Sequence, residues 1–542
     1  MNSFKYLWVM ALAFAASSVS AQETYQSAKL VDNELNGTAR YVGMGGALEA
    51  LGADISTIST NPAGIGLFRS SQFAISGGLV AQSDDNKSHF SNENGSLRID
   101  GNKTNASFDQ VGFVWANRTG NHSFLNLSFN YHKSRNFDEL LNASANFLLR
   151  KDANGNTYAA SQNKNTVNRF NYALDMQQQG YDHAGDYLIS PLDRSYMDLL
   201  EYDSQKGYAA FNADSYLFGQ YQKGYIGEYD VNVSGNINDR IYLGLTVGFR
   251  DVHYRSRSQY GENLLNGGIA GSEESLRITG EGFDFKFGAI FRPFEASPFR
   301  VGVYVHTPTF YDLDLDGSVV AYLDGLEDTN TDQGPVNGER YNSVSNSFRV
   351  NTPWRFGLSL GNTIGNFLAL GATYEYSDYS HLDNRIKDGY YDYDEYWENS
   401  SSDGTMNDNT RLSLRGMSTL KLGVEYKPMS DLALRIGYNY LSPMFKKDGL
   451  RDPLLFSDGN ANSTSTDYTN WKATNRFTFG VGYQISHWNI DFAYQYSATR
   501  GDFYPFATTL VGDAANSSDN EVYPAKVKFD RSQLLFTLGY RF

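Results

Sequence analysis

Apolar side chains recur at every second position in segment after segment of this chain, and that pattern constrains the fold more than any average does. In the last segment Leu534, Phe536, Leu538, Tyr540 and Phe542 fall on one face, with Leu535, Thr537, Gly539 and Arg541 on the other. The same rhythm sets Ile241, Leu243, Leu245, Val247 and Phe249 against Tyr242, Gly244, Thr246, Gly248 and Arg250. It also sets Leu432, Leu434, Ile436, Tyr438 and Tyr440 against Ala433, Arg435, Gly437 and Asn439. One face suits lipid and the other a lumen. Such segments start near residues 72, 108, 121, 225, 239, 280, 297, 345, 366, 416, 431, 475, 488 and 532, which makes fourteen.

The connections alternate in length. Asn117 to Gly120, Asn236 to Asp239, Arg292 to Ser297, Asn362 to Gly365, Lys427 to Ser430 and Ser486-His487 are short, whereas the other seven run from roughly 26 to 90 residues. This asymmetry predicts an all-β fold, a 14-stranded antiparallel transmembrane β-barrel with short periplasmic turns and long extracellular loops. An even strand count puts both chain ends on the periplasmic side. Closure follows from the backbone, because an open edge in hydrocarbon leaves N–H and C=O groups unpaired at several kcal/mol each. A soluble β-sandwich would explain neither the loop asymmetry nor the ending Tyr540-Arg541-Phe542.

Composition fits once the barrel is in view. A mean hydropathy of −0.48 describes a polar chain, yet lumen residues and loops dilute a lipid face, and 15% aromatics with 51 glycines and 12 prolines suit a barrel. At the N-terminus Lys5, the apolar run Tyr6 to Ala16 and the small residues Val19 and Ala21 read as a signal peptide over residues 1–21. The 11-residue run is too short for a membrane-spanning helix, and without cysteine there is neither a lipobox nor a disulfide framework. Removing Lys5 leaves 44 basic against 61 acidic residues, a net charge of −17 that argues against a nucleic-acid partner.

About 50 residues before the first strand do not alternate and are too apolar for a tail; they include Tyr41-Val-Gly-Met-Gly-Gly-Ala-Leu-Glu-Ala-Leu-Gly52 and Ser59-Thr60-Asn61-Pro62-Ala63-Gly64-Ile65-Gly66. Here the chain resembles the FadL-like outer-membrane transporters of long-chain fatty acids and other hydrophobic compounds, whose N-terminal hatch carries an Asn-Pro-Ala element just before strand one. In this sequence the element is Asn61, Pro62, Ala63 and Gly64. The resemblance continues at Thr307-Pro308-Thr309-Phe310, Thr352-Pro353-Trp354-Arg355-Phe356-Gly357-Leu358, Leu422-Gly423-Val424-Glu425-Tyr426 and Arg435-Ile436-Gly437-Tyr438. It implies a hatch over residues 22–71, a barrel over 72–542, passive passage of hydrophobic molecules, and an outer-membrane location. Phe542 resembles the end by which the barrel-assembly machinery recognises its clients. The family's lateral exit lies at a kinked early strand, but Asn121 to Lys133 holds neither Gly nor Pro, so the exit lacks support here; Pro353 is a candidate distortion or sits harmlessly at a strand's outer end.

The largest loop, 134–224, has helical stripes. Phe137, Leu140, Leu141, Phe147 and Leu148 share one side of a predicted helix, and Ser190-Pro191 reads as an N-cap and first position before Leu192, Tyr196 and Leu199. The stripes either capture an acyl chain or pack on each other as a lid. On the lumen face Arg250, Lys421, Glu425, Arg435, Asp491 and Arg541 either orient a carboxylate headgroup or form ion-pair ladders that pin the hatch.

Catalytic signatures are thin. Gly357-Leu358-Ser359-Leu360-Gly361 matches a hydrolase elbow but lies in an alternating strand, and the histidines lack zinc or haem spacing. Neither an enzyme nor a catalytic cofactor is expected. Asp328, Asn330, Asp332 and Glu339 are spaced like a calcium loop, although Gln333 replaces the glycine and a solvated acidic loop accounts for them equally simply. The sequence thus predicts a hatch-gated channel in contact with outer-membrane lipid and a hydrophobic ligand. The alternative is an interaction barrel receiving secreted or surface proteins on its loops.

Overall fold

Alternation of this kind becomes a wall when each strand bonds to its neighbours, and fourteen antiparallel strands do so in one closed barrel. The computed structural model describes residues 23–32, 34–147, 168–178, 189–200, 202–203, 207–208, 211–265, 267–325, 338–392, 395–452, 455–507 and 522–542. The strands are β1 (Gln72–Gln82), β2 (Thr104–Arg118), β3 (Phe124–Asn136 and Glu139–Asn146), β4 (Ala213–Ile237) and β5 (Ile241–Leu264). There follow β6 (Ile269–Phe291), β7 (Arg300–His306 and Phe310–Asp324), β8 (Gly338–Asn351 and Arg355–Ile364) and β9 (Leu368–Asp378 and Asp383–Asp392). The circuit ends with β10 (Glu395–Ser402 and Gly416–Met429), β11 (Leu432–Leu441), β12 (Tyr468–Ile485), β13 (Trp488–Tyr504) and β14 (Ala525–Arg541). β1 pairs with β14 from Gln72–Arg541 to Gln82–Arg531, which closes the wall and puts the start of β1 and the end of β14 on the short-turn rim.

Outward positions form an apolar band: Tyr229, Val231 and Val233 on β4, Leu243, Leu245 and Phe249 on β5, and Phe283, Phe285 and Phe287 on β6 are all exposed. Their alternate neighbours Tyr242, Thr246 and Arg250 are buried. So large an apolar surface is tolerable in lipid and not in water. No helix among the described residues is long and apolar enough to cross a membrane.

Several strands run further than their apolar alternation indicates. β4 begins at Ala213 rather than near 225, and β3 continues to Asn146, so the loop between them spans 147–212 instead of 134–224. Beyond the band the ladder persists while the outward side chains turn polar, as at His253, Arg255 and Arg257. The helix expected over Phe137 to Leu148 is likewise replaced by strand, because Glu139–Asn146 pairs with Gln222–Ser215 and satisfies its backbone there. β3 is bulged between Lys133 and Arg135 despite having no Gly or Pro, yet both of its pieces stay paired with β4. Pro353 interrupts β8 beside Trp354, at the end of the apolar band, and Thr307 to Thr309 interrupt β7 alongside it; Thr309 N donates to Thr352 Oγ1 at 2.8 Å across the break.

The N-terminal segment lies inside the barrel. It carries helices α1 (Thr24–Val31) and α2 (Ala39–Gly43) and short 3-10 turns at Ile55–Ser59 and Pro62–Leu67. Its backbone is bonded around the wall: Thr537 Oγ1 of β14 accepts from Ala39 N at 2.7 Å, Ser234 Oγ of β4 donates to Pro62 O at 2.7 Å, and Thr246 Oγ1 of β5 donates to Ile58 O at 3.0 Å. What lets it lie so close is a track of lumen-facing glycines. Gly43 rests on Gly480, Met44 and Gly45 on Gly437 and Gly423, Ala47 on Gly371, Ala50 and Leu51 on Gly361, Asn61 on Gly302 and Gly288, and Pro62 and Ala63 on Gly244. Gly361, Gly371, Gly423 and Gly437 stand directly opposite one another across four strands, so the track is one continuous shelf. A Cβ at Gly371 would collide with the carbonyl oxygen of Ala47.

Candidate ligand passage through the lumen

Along the barrel axis the lumen is divided into a lid, cavities and a cross-wall. At the loop rim, Phe170 on α3 (Arg169–Gln178), Leu192 and Tyr196 on α4 (Pro191–Met197), Phe211, Tyr216, Phe503 and Phe506 share one buried core. Ser190 caps α4 as expected, its Oγ accepting from Asp193 N at 3.0 Å. Arg169 is buried in this core and pairs with Asp193 at 2.5 Å; its guanidinium lies 4.6 and 4.3 Å from the Tyr172 and Tyr196 ring centres. Burial lifts the Tyr196 hydroxyl well above the usual phenol range. Of the expected stripes, Leu192, Tyr196 and Leu199 pack on Phe170 in this core.

Beneath the lid, α1 is fixed by Glu23, whose carboxylate accepts from Tyr25 N and Gln26 N, and by Tyr25 stacked on Phe445 with centroids 5.3 Å apart. Beside α1 opens an amphipathic cavity of about 130 Å3. One side is apolar, with Phe137, Met444, Phe445 and Trp471; the other carries Lys29, Arg135, Arg476 and Arg531. Arg135 is held by Asp32 at 2.8 Å and Arg531 by Glu34. Among the described residues no carboxylate lies within ion-pairing distance of Arg476, which donates to Asn439 Oδ1 at 3.1 Å, or of Lys29. Glu139, above the apolar band, also lines this cavity, and burial pushes its carboxyl up to about 7. A smaller polar cavity of about 80 Å3 shares Asp32, Glu34, Met417, Leu441 and Arg476 with the first and reaches down to Tyr41 and Lys421.

Across the N-terminal segment a third cavity of about 270 Å3 lies at the short-turn rim, lined on the segment's side by Thr38, Arg40, Asp54 and Ile55. The predicted lumen residues divide between these levels. Lys421 reaches Glu49 of the N-terminal segment and Glu375 of β9, both at 2.8 Å. Glu425 is gripped by Arg40 of the segment at 3.1 Å and by Arg435 at 2.6 Å, and Arg435 also holds Asp491 at 2.5 Å. Arg541 lines the third cavity but ends exposed at the rim. Arg250 stands apart in a buried cluster with Glu228 at 3.2 Å and Asp284 at 2.9 Å. The same cluster contains Lys286, whose ammonium lies 2.5 Å from Glu228, 2.6 Å from Asp230 and 3.2 Å from Asp284. His132, Glu228 and Asp230 are close enough to hold a metal ion, but the Lys286 ammonium already supplies the cation they face. Sequence reasoning missed Glu228, Asp230, Asp284 and Lys286, although charges at alternate positions opposite a lipid face were a readable sign.

Asn61 caps the turn Pro62–Leu67, accepting from Ala63 N at 3.2 Å and donating to Glu49 O at 3.0 Å. Gly64 packs against Thr57, where no Cβ would fit. Of the residues assigned to a capture helix, Phe137 lines the amphipathic cavity, Leu141 belongs to the lid core and Phe147, partly buried, packs against it. Leu140 lies on the opposite face from Leu141, against Gly101. Leu148 lies outside the described residues, as do Asp328, Asn330, Asp332 and the cleavage site after Ala21; Glu339 is exposed near the start of β8. Gly357 to Gly361 form regular strand in β8.

No family model matches the sequence, and no curated protein matches it. Solved structures do. The toluene transporter TbuX of Ralstonia pickettii aligns over 94% of this chain and 99% of its own at 12% identity and a TM-score of 0.46. The CymD monoaromatic hydrocarbon channel gives 94% and 99% coverage, 10% identity and a TM-score of 0.46. A Pseudomonas aeruginosa FadL homologue gives 96% and 98%, 12% identity and a TM-score of 0.45. A toluene transporter, a monoaromatic hydrocarbon channel and a FadL homologue are among the solved structures to which this chain is similar.

Proposed function

We propose that this protein is a FadL-like outer-membrane channel that takes up long-chain fatty acids or other hydrophobic molecules by diffusion, gated by its N-terminal hatch around Asn61, Pro62, Ala63 and Gly64. The observation that carries the reading is the cavity over the hatch. Its aromatic side offers an acyl chain apolar contact, while Lys29 and Arg476 leave positive charge for a carboxylate. The lumen ion pairs Lys421–Glu49 and Arg40–Glu425 then act as the ladders that hold the hatch closed. In this orientation the short-turn rim and both termini face the periplasm and the loops face outward.

The test is transfer of a fluorescent long-chain fatty acid into proteoliposomes by the intact protein and by a variant lacking residues 22–66. Transfer that requires the hatch for its regulation, with ungated leak in the shortened variant, supports the channel. Absence of transfer by either, in barrels proven folded by heat-modifiable mobility, overturns it and leaves the interaction barrel, whose partner would meet the lid.

A further inference from the structure

The outer wall above the apolar band carries a cationic row that makes no salt bridge among the described residues. Lys223 on β4 stands directly opposite Arg255 on β5, and Arg255 directly opposite Arg277 on β6. All three are exposed, and Arg255 is flanked along its own strand by His253 and Arg257. The diagonal neighbours of Arg255 are Tyr221, Tyr225, Ser275 and Thr279, so no acidic side chain adjoins it. The acids nearest the row, Asp316 opposite Arg277 and Asp314 diagonal to it on β7, accept from Ser345 Oγ at 2.8 Å and from Ser347 Oγ, and among the described residues none of Lys223, Arg255 and Arg277 has an ion-pair partner within 4 Å. Like charges placed directly across a ladder destabilise a sheet. A wall that keeps three in register is complementary to an anion from outside.

A second observation adjoins it. Beside Lys223 the wall is hollowed into an open polar cleft of about 640 Å3, lined also by Ser88, His89, Asn102, Tyr221 and the pair Arg98–Asp100, 3.6 Å apart, which leaves Lys223 as the cleft's unpaired cation among the described residues. Hydroxyl, amide and phenol groups in one cleft suit a saccharide. Height supplies the third argument. Arg255 lies six residues beyond Phe249, the last exposed apolar residue of β5. At about 3.3 Å per residue and a tilt of about 40°, that places it roughly 15 Å above the apolar edge. A glycerophospholipid headgroup layer extends only about 5–8 Å beyond the hydrocarbon.

We propose that Lys223, Arg255 and Arg277, with the cleft beside them, bind the phosphorylated oligosaccharide headgroup of an outer-leaflet glycolipid. The site rests on the loops facing outward and is independent of whether the barrel transports anything. Binding is measured on the full chain in neutral detergent with four probes: lipopolysaccharide bearing phosphorylated core sugars, the same molecule with its core phosphates removed, phosphatidylglycerol and inorganic phosphate. The variants are Lys223→Gln/Arg255→Gln/Arg277→Gln and a control of equal charge change at the short-turn rim, Arg118→Gln/Arg240→Gln/Lys427→Gln. At about fivefold per cation near a charged surface, the first variant loses roughly 100-fold in affinity for the phosphorylated probe and the control stays within about twofold. Folding of each is checked by heat-modifiable mobility, to which these exposed side chains contribute little. Equal binding by wild type and the first variant overturns the proposal. So does equal affinity for the dephosphorylated probe, or competition by phosphatidylglycerol or inorganic phosphate at matched concentration.

Discussion

Replacing Gly371 with alanine tests whether the glycine shelf is what seats the N-terminal segment. The new Cβ would fall on the carbonyl oxygen of Ala47 and 3.1 Å from its carbon, where ordinary contact is about 3.5 Å. Neither partner is a flexible side-chain tip, so β9 or the segment must move. Overpacking of this kind costs about 1–3 kcal/mol, and if the segment yields, its seated-to-unseated ratio falls about 5- to 150-fold. Gly361→Ala grades the effect, because its Cβ meets Leu51 N at 3.0 Å and needs a shift of only a few tenths of an ångström. Gly404→Ala, with nothing near its Cβ, is the control. The assay is ionic leak through single barrels in planar bilayers, alongside the thermal midpoint. Leak is expected to rise in the order Gly404→Ala, Gly361→Ala, Gly371→Ala. A Gly371→Ala barrel with wild-type leak and midpoint would refute the reasoning, since the wall would then have absorbed the clash.

Other perturbations address the charges. Lys421→Met leaves Glu49 and Glu375 buried without their shared cation and lowers stability by about 3–5 kcal/mol, read as a drop in thermal midpoint that Glu49→Gln partly restores. Arg476→Gln weakens binding of a long-chain carboxylate by about 1.5–3 kcal/mol while leaving a hydrocarbon of equal length unaffected, measured by displacement of a fluorescent fatty acid. Burial dominates at Glu139 and raises its carboxyl from 4.5 to about 7, although the charges of Arg135, Lys29 and Arg531 pull it down. The folded state therefore holds the proton more tightly, so its stabilisation is full below about 4.5 and is lost as pH rises through about 7; Glu139→Gln flattens that part of the midpoint-against-pH curve.

What the sequence made legible was whatever a single strand decides by itself. Alternation located all fourteen barrel strands, because the membrane imposes a two-residue period on each without reference to its neighbours. It failed where the membrane stops imposing that period: Glu139–Asn146 and the start of β4 have polar outward faces, and there apolar spacing at Phe137, Leu140 and Leu141 suited a helix equally well. Features created by register were hidden. Gly244 and Gly437 stood on the lumen face of their strands, but their service as parts of one shelf depends on which residues lie opposite on the next strand, and that is fixed by hydrogen bonding across the barrel. Arg250 shows the same limit. Alternation put it in the lumen, whereas its separation from Lys421 and Arg435 follows from strand order around the wall, β5 being remote from β10 and β11. Lys223, Arg255 and Arg277 are unremarkable one by one. Only their alignment across three strands concentrates charge beyond the reach of a glycerophospholipid headgroup layer, and a glycolipid site of this kind is for that reason invisible to any reading that takes the strands singly.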